Sequence, residues 1–147
     1  MLPGEATERL AGQALLFEEF LAREGAAGRL QLKLNALPQQ RALLHGHCHQ
    51  KAFGAMSAVQ SVLALVPGLE VQTVESSCCG MAGAFGYEAE HYEVSMRMAE
   101  AALLPAVRKA DANTLVVADG TSCRHQIADG ASREALHVAR VLERALA

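Results

Sequence analysis

Short apolar runs alternating with stretches of helical periodicity constrain this chain more than any other feature. From residue 40 onward, Ala42 to His45, Leu69 to Val74 and Thr114 to Ala118 read as strands. The third is apolar without alternation, as expected of a strand covered on both faces. Between and after them, Gln50 to Val66, Glu88 to Leu104 and Ala135 to Leu146 carry apolar residues at helical spacing. Phe53, Met56, Val59 and Leu63 form the first stripe, Tyr92, Met96, Ala99 and Leu103 the second, and Leu136, Ala139, Leu142 and Leu146 the third. Pro67-Gly68 is a turn, and Pro105 either kinks its helix or opens a short second one. Ser76 to Gly86 is a Gly-rich loop, and Cys123 to Ile127 a helical turn. Strands alternating with helices in this way predict an α/β fold, a three-layer sandwich around a mostly parallel sheet.

Residues 1–35 read as an N-terminal extension and residues 40–147 as the core of a single domain spanning 1–147. In the extension, Leu10, Ala14, Phe17 and Leu21 predict a helix from Glu5 to Arg23, which Gly25 and Gly28 end. Arg29 to Leu34 alternates apolar and polar residues and predicts an edge strand.

Composition narrows the function. With 51% hydrophobic and 20% charged residues the chain is globular, not disordered. A net charge of −3 and a pI near 6.1 lack the basic excess of a nucleic-acid binder. The longest uncharged run, Ala52 to Leu69, is interrupted by Ser57, Gln60, Ser61 and Pro67-Gly68, so no membrane span is expected. The residues from Met1 to Arg9 show neither the basic nor the apolar region of a secretory signal. A cytoplasmic, reducing location follows as an expectation, and there free cysteines favour metal or redox chemistry over structural disulfides.

The four cysteines are placed by the strands. Cys48 follows the first, Cys78 and Cys79 the second, and Cys123 the third. In a parallel sheet all carboxyl ends share one edge, and ligands bind beyond it. Topology therefore gathers four distant cysteines on one rim. Thiolates converging there suit a soft metal centre. Adjacent Cys78 and Cys79 are awkward ligands for one tetrahedral ion and suit a multi-iron cluster better, since neighbouring sulfurs reach different irons. Gly80, Gly83 and Gly86 would let backbone approach a bulky cluster. Other readings of the same residues stay open: buried packing cysteines, or a vicinal disulfide or thiol redox pair at Cys78–Cys79. His45, His47 and His49 flank Cys48, and hydrogen bonding that shapes the rim is the simpler role for His45 and His47. Lys51 and Arg124, each beside a cysteine, could lower a thiolate pKa or offset cluster charge, or be ordinary surface cations. No serine–histidine–acid set or spaced carboxylate pair supports hydrolysis, and no catalytic residue is assigned.

The strings His45-Gly-His-Cys-His-Gln-Lys51, Ser77-Cys-Cys-Gly-Met-Ala-Gly-Ala-Phe-Gly-Tyr87 and Gly120-Thr-Ser-Cys-Arg-His-Gln-Ile127 resemble the cysteine-rich CCG domain, typified by heterodisulfide reductases. They look most like the C-terminal regions of proteins that join an FAD-linked oxidase, of D-lactate or glycolate type, to iron–sulfur modules. The resemblance covers roughly residues 40 to 147. It implies an iron–sulfur cluster, of 4Fe-4S type, held by Cys48, Cys78, Cys79 and Cys123, with Gly80 and Gly83 beside it. The family's last motif is often Cys-x-x-Cys, whereas this chain reads Cys123-Arg-His-Gln126, and His125 is the substitute ligand. The family commonly carries two copies of the motif, and this chain carries one. The implied function is electron transfer in a flavin-linked oxidoreductase of a 2-hydroxy acid, with FAD on the parent protein and not on this chain. The implied partners are a flavin-containing oxidase domain or subunit and an electron acceptor. The chain then reads as a C-terminal module of a longer oxidoreductase. The rival functions are a thiol–disulfide catalytic domain of heterodisulfide reductase type and a zinc-bound or metal-free docking module.

Overall fold

A four-stranded, wholly parallel sheet organises the chain, which a computed structural model describes over residues 4–147. The first three residues of the expected domain lie outside the described residues. In chain order the elements are α1 (Glu5–Ala11), α2 (Phe17–Ala26), β1 (Arg41–His45), α3 (Cys48–Ala52), α4 (Met56–Leu63), β2 (Glu70–Thr73), two 3-10 turns (Phe85–Tyr87 and Ala89–His91), α5 (Tyr92–Glu100), α6 (Leu103–Lys109), β3 (Leu115–Ala118), α7 (Thr121–Ala131), β4 (Ala135–Leu136) and α8 (Val138–Ala145). The strand order is β2-β1-β3-β4. Leu44 pairs with Thr73 on one side and Val117 on the other, so the three longer strands end nearly level.

Strand alternation sorts the core into two layers. Ala42, Leu44, Leu115, Val117 and Leu136 face α2, α4 and α8, where Leu21, Val59, Val62, Leu63, Val138 and Val141 cover them. Leu43, Val116 and Ala118 face the other way, onto Leu103 and Val107 of α6 and Ile127 of α7. The three-layer α/β sandwich expected from the sequence is therefore present. Among the described residues no helix is long and apolar enough to cross a membrane.

Several elements differ from expectation. The first helix is two, because Gly12 ends α1, which buries nothing, while α2 buries Glu18 and Leu21. The segment Arg29 to Leu34 forms no strand, only an isolated antiparallel bridge from Leu34 to Leu146 beyond α8. The helix expected over Gln50 to Val66 divides at Gly54, whose φ of 70° turns the chain. Phe53 consequently leaves the stripe and stands 81% exposed. Pro105 lies in the first turn of α6, where its missing N–H removes no helical bond. The turn at Cys123 is the full helix α7, and the closing helix is preceded by the two-residue strand β4.

Candidate metal centre

Parallel register brings the carboxyl ends of β1, β2 and β3 together, and each leads directly to a cysteine. After β1 the chain turns through Gly46 to His47, the N-cap of α3, and Cys48 is the first residue of that helix. His47 N–H donates to Gln50 Oε1 at 3.0 Å, and His47 Nδ1 accepts from His49 N–H at 3.2 Å. This reciprocal cap fixes the entry to a five-residue helix that could not stand alone.

After β2, Lys51 Nζ ties the loop to α3 by donating to the carbonyl oxygens of Ser76 and, at 3.0 Å, Ser77. Gly80 adopts φ 91°, and an added Cβ would lie 2.1 Å from the Ser95 carbonyl oxygen, so glycine alone fits there. Its N–H points at Cys78 Sγ, 3.3 Å away. Gly83 also has a positive φ, 69°, but nothing lies within 4 Å of an added Cβ. After β3, the Arg124 guanidinium donates to the carbonyl oxygens of Ala118 at 3.0 Å and Asp119 at 2.6 Å. Both cations flanking the cysteines therefore bind backbone carbonyls, Lys51 in the loop after β2 and Arg124 at the end of β3. A Cβ on Gly120 would meet His47 Cδ2 at 2.4 Å and Cys123 Sγ at 2.9 Å. The rim closes tightly at that point.

His45, Cys79 and Cys123 each place one donor atom within 4.8 Å of the other two, and all three are buried. His45 is 1% exposed; its Nδ1 lies 2.9 Å from Ser76 Oγ, and its Nε2 has no hydrogen-bond partner. Cys48 and Cys78 are half-buried beside them, and all four cysteines are free. Burial pushes the Cys78 thiol up, and the neighbouring Cys79 and Cys48 sulfurs push it further. Cys79 is drawn down to about 4, chiefly by hydrogen bonding from Cys123, with the His45 ring and the Met81 N–H adding to the effect. Cys123 moves in the opposite direction for the same reason: the Cys79 sulfur and burial both hold its proton. Cys79 thus favours the thiolate and Cys123 the thiol, while burial and the adjacent His49 hold His47 below its usual range.

His125 sits elsewhere. On α7, Cys123, Gln126 and Ile127 face the core at helical spacing, whereas His125 faces outward, 2.6 Å from the Tyr87 hydroxyl. Gln126 has a packing role instead: its Nε2 donates to the Cys79 carbonyl at 3.0 Å and to Ser95 Oγ at 3.0 Å. His45 was recognisable from strand alternation, since it shares the sheet face of Leu43, where Cys79 and Cys123 pack. Two half-buried and two buried sulfurs, with an unpartnered imidazole nitrogen, form a soft donor set that fits a thiolate-bound metal centre. A cleft of about 610 Å³ at the opposite end of the sheet, lined by Arg41, Glu70, Lys109 and Asp111 among others, contains no cysteine or histidine.

No family model and no solved structure matches the chain. Among curated proteins it is 34% identical over 116 residues to one of the subunits of the anaerobic glycerol-3-phosphate dehydrogenase of Escherichia coli K12, covering 79% of this chain and 28% of that one. It is 30% identical over 114 residues to the D-2-hydroxyglutarate dehydrogenase of the same strain, 76% of this chain and 11% of that one. It is 31% identical over 117 residues to the D-2-hydroxyglutarate dehydrogenase of Pseudomonas putida KT2440, 74% of this chain and 11% of that one. The chain thus corresponds to a segment of dehydrogenase polypeptides and spans 28% or less of the length of these relatives.

Proposed function

We propose that this chain is an iron–sulfur electron-transfer module of CCG type, belonging to a flavin-linked oxidoreductase that oxidises a 2-hydroxy acid such as lactate or glycolate. The observation that carries this reading is the meeting of Cys79, Cys123 and His45 beside Cys48 and Cys78 at one sheet edge. The two relatives named as D-2-hydroxyglutarate dehydrogenases favour a 2-hydroxy acid as the substrate of the parent enzyme. FAD and the reacting substrate belong to that parent enzyme, and an electron acceptor is the second partner.

Cys48, Cys78, Cys79 and Cys123 would hold the cluster, with His45 as the nearest nitrogen donor. A cluster held there supplies one-electron relay between the flavin and the acceptor. The chain's own residues set the conditions. With a cluster bound, the Gly80 N–H on Cys78 and the Met81 N–H on Cys79 would offset sulfur charge and raise its potential. Gly120 keeps the space beside Cys123 free of side chain. The half-buried Cys48 and Cys78, with exposed Phe53 nearby on the turn after α3, give a partner an approach to the rim.

The test is anaerobic reconstitution with iron and sulfide, followed by reduction and EPR. A signal that appears on reduction and vanishes on adding an oxidised acceptor supports the relay. Zinc as the only bound metal supports the docking module. A second reading, thiol–disulfide catalysis, rests on the thiolate of Cys79 beside Cys123. It is favoured if alkylating Cys79 abolishes turnover in metal-free protein.

A further inference from the structure

A second donor cluster lies on the side of the sheet covered by α2 and α8, apart from the cysteines. Glu18 of α2, Asp119 after β3 and His137 before α8 each bring one donor atom within 4.8 Å of the other two. Glu18 is 3% exposed, and its Oε1 is buried with no partner. Nothing in the helix-forming pattern of α2 calls for a carboxylate at this core-facing position. Asp119 is anchored from both sides: Oδ1 accepts from Val138 N–H at 2.9 Å and Oδ2 from Gln50 Nε2 at 2.6 Å. His137 Nδ1 lies 3.5 Å from Asp119 Oδ1 and accepts from Ala139 N–H at 3.0 Å, a cap bond that ligation through Nδ1 would replace.

The geometry points to a divalent transition-metal site formed by Glu18, Asp119 and His137, clamping the N-terminal helix α2 to the loop that leads into Cys123. Two carboxylates and one neutral imidazole carry two negative charges, which a divalent ion neutralises. Oxygen and imidazole donors suit manganese, iron(II) or zinc. Bonds of about 2.0–2.2 Å would require the three donors to close on a common point. His137 is 32% exposed and Asp119 9%, which leaves an entry for the ion and for completing waters. A bound ion gives the Glu18 oxygen the partner it lacks. Without one, burial and the neighbouring Asp119 push the Glu18 carboxyl up. The site is independent of the iron–sulfur reading and forms whether or not the cysteines hold a cluster.

The test uses the full chain, stripped of metal with a chelator and titrated with Mn²⁺, which thiolates hold weakly. Free Mn²⁺ is read by EPR and the melting temperature is followed in parallel. One Mn²⁺ per chain, bound with a Kd below about 100 μM and raising the melting temperature, is expected. Glu18→Gln keeps the shape of the side chain, and His137→Asn keeps an N-cap acceptor for α8. Both should weaken binding at least about tenfold, with the metal-free melting temperature of Glu18→Gln no lower than the parent's. Binding weaker than about 1 mM, or binding that survives both substitutions, overturns the site. If Glu18→Gln fails to fold, His137→Asn decides alone.

Discussion

At the residue scale, the centre depends on the pair Cys79 and Cys123. Cys79→Ser replaces a soft, ionised donor in a buried position with a hydroxyl, and should reduce iron retention at least about tenfold. Iron analysis after anaerobic reconstitution checks this, and near-normal retention would place the ligands elsewhere. The metal-free chain offers a pH test. The folded pair keeps one proton above about pH 4, while the unfolded chain keeps two until near pH 8.5. Between these limits the unfolded state binds the extra proton, so stability gained from the pair grows as pH rises. Above them the raised Cys123 thiol retains its proton in the folded state alone, and that contribution declines again. Urea midpoints of metal-free protein should therefore climb from pH 5 to pH 8, and Cys79→Ser should flatten the climb. Equal slopes for both proteins would contradict a Cys79 thiolate beside a Cys123 thiol.

At the element scale, three strand ends and their glycines do the positioning. Gly80→Ala forces a side chain against the Ser95 carbonyl in a left-handed backbone. It should cost about 2 kcal/mol or more and loosen the loop that carries both adjacent cysteines. Thermal melts, with iron loading measured alongside, read both effects. Leu44→Ala, in the middle of β1 and wholly buried, should cost about 2–5 kcal/mol without touching a cysteine. The strands that lead to the cysteines were legible in the sequence because they are short, carry β-forming residues and are separated by turns or helical stretches. Strand β4 was not, since Ala135 and Leu136 also fit the stripe of the helix that follows, and two residues carry no period. The break between α3 and α4 depended on one glycine in a left-handed conformation, which composition does not reveal. Gathering of the cysteines followed from parallel topology alone. The side chains that complete the site did not, because His45 and Gln126 depend on which face of a strand or helix meets the loop after β2.

At the scale of the whole molecule, the chain is a small α/β sandwich whose four cysteines follow the carboxyl ends of three parallel strands. Its relatives are much longer dehydrogenase polypeptides, of which it spans 28% and 11%. Cys48 and Cys78 are half-buried, and the buried Cys79 and Cys123 pack with Met81 and Ile127. The most direct measurement is iron and acid-labile sulfide per chain after anaerobic reconstitution, compared with a variant in which Cys79 and Cys123 are both serine. We expect about four irons and matching sulfide in the parent chain and almost none in the variant. Iron without sulfide, zinc in its place, or equal loading of both proteins would contradict a cluster gathered by the sheet edge.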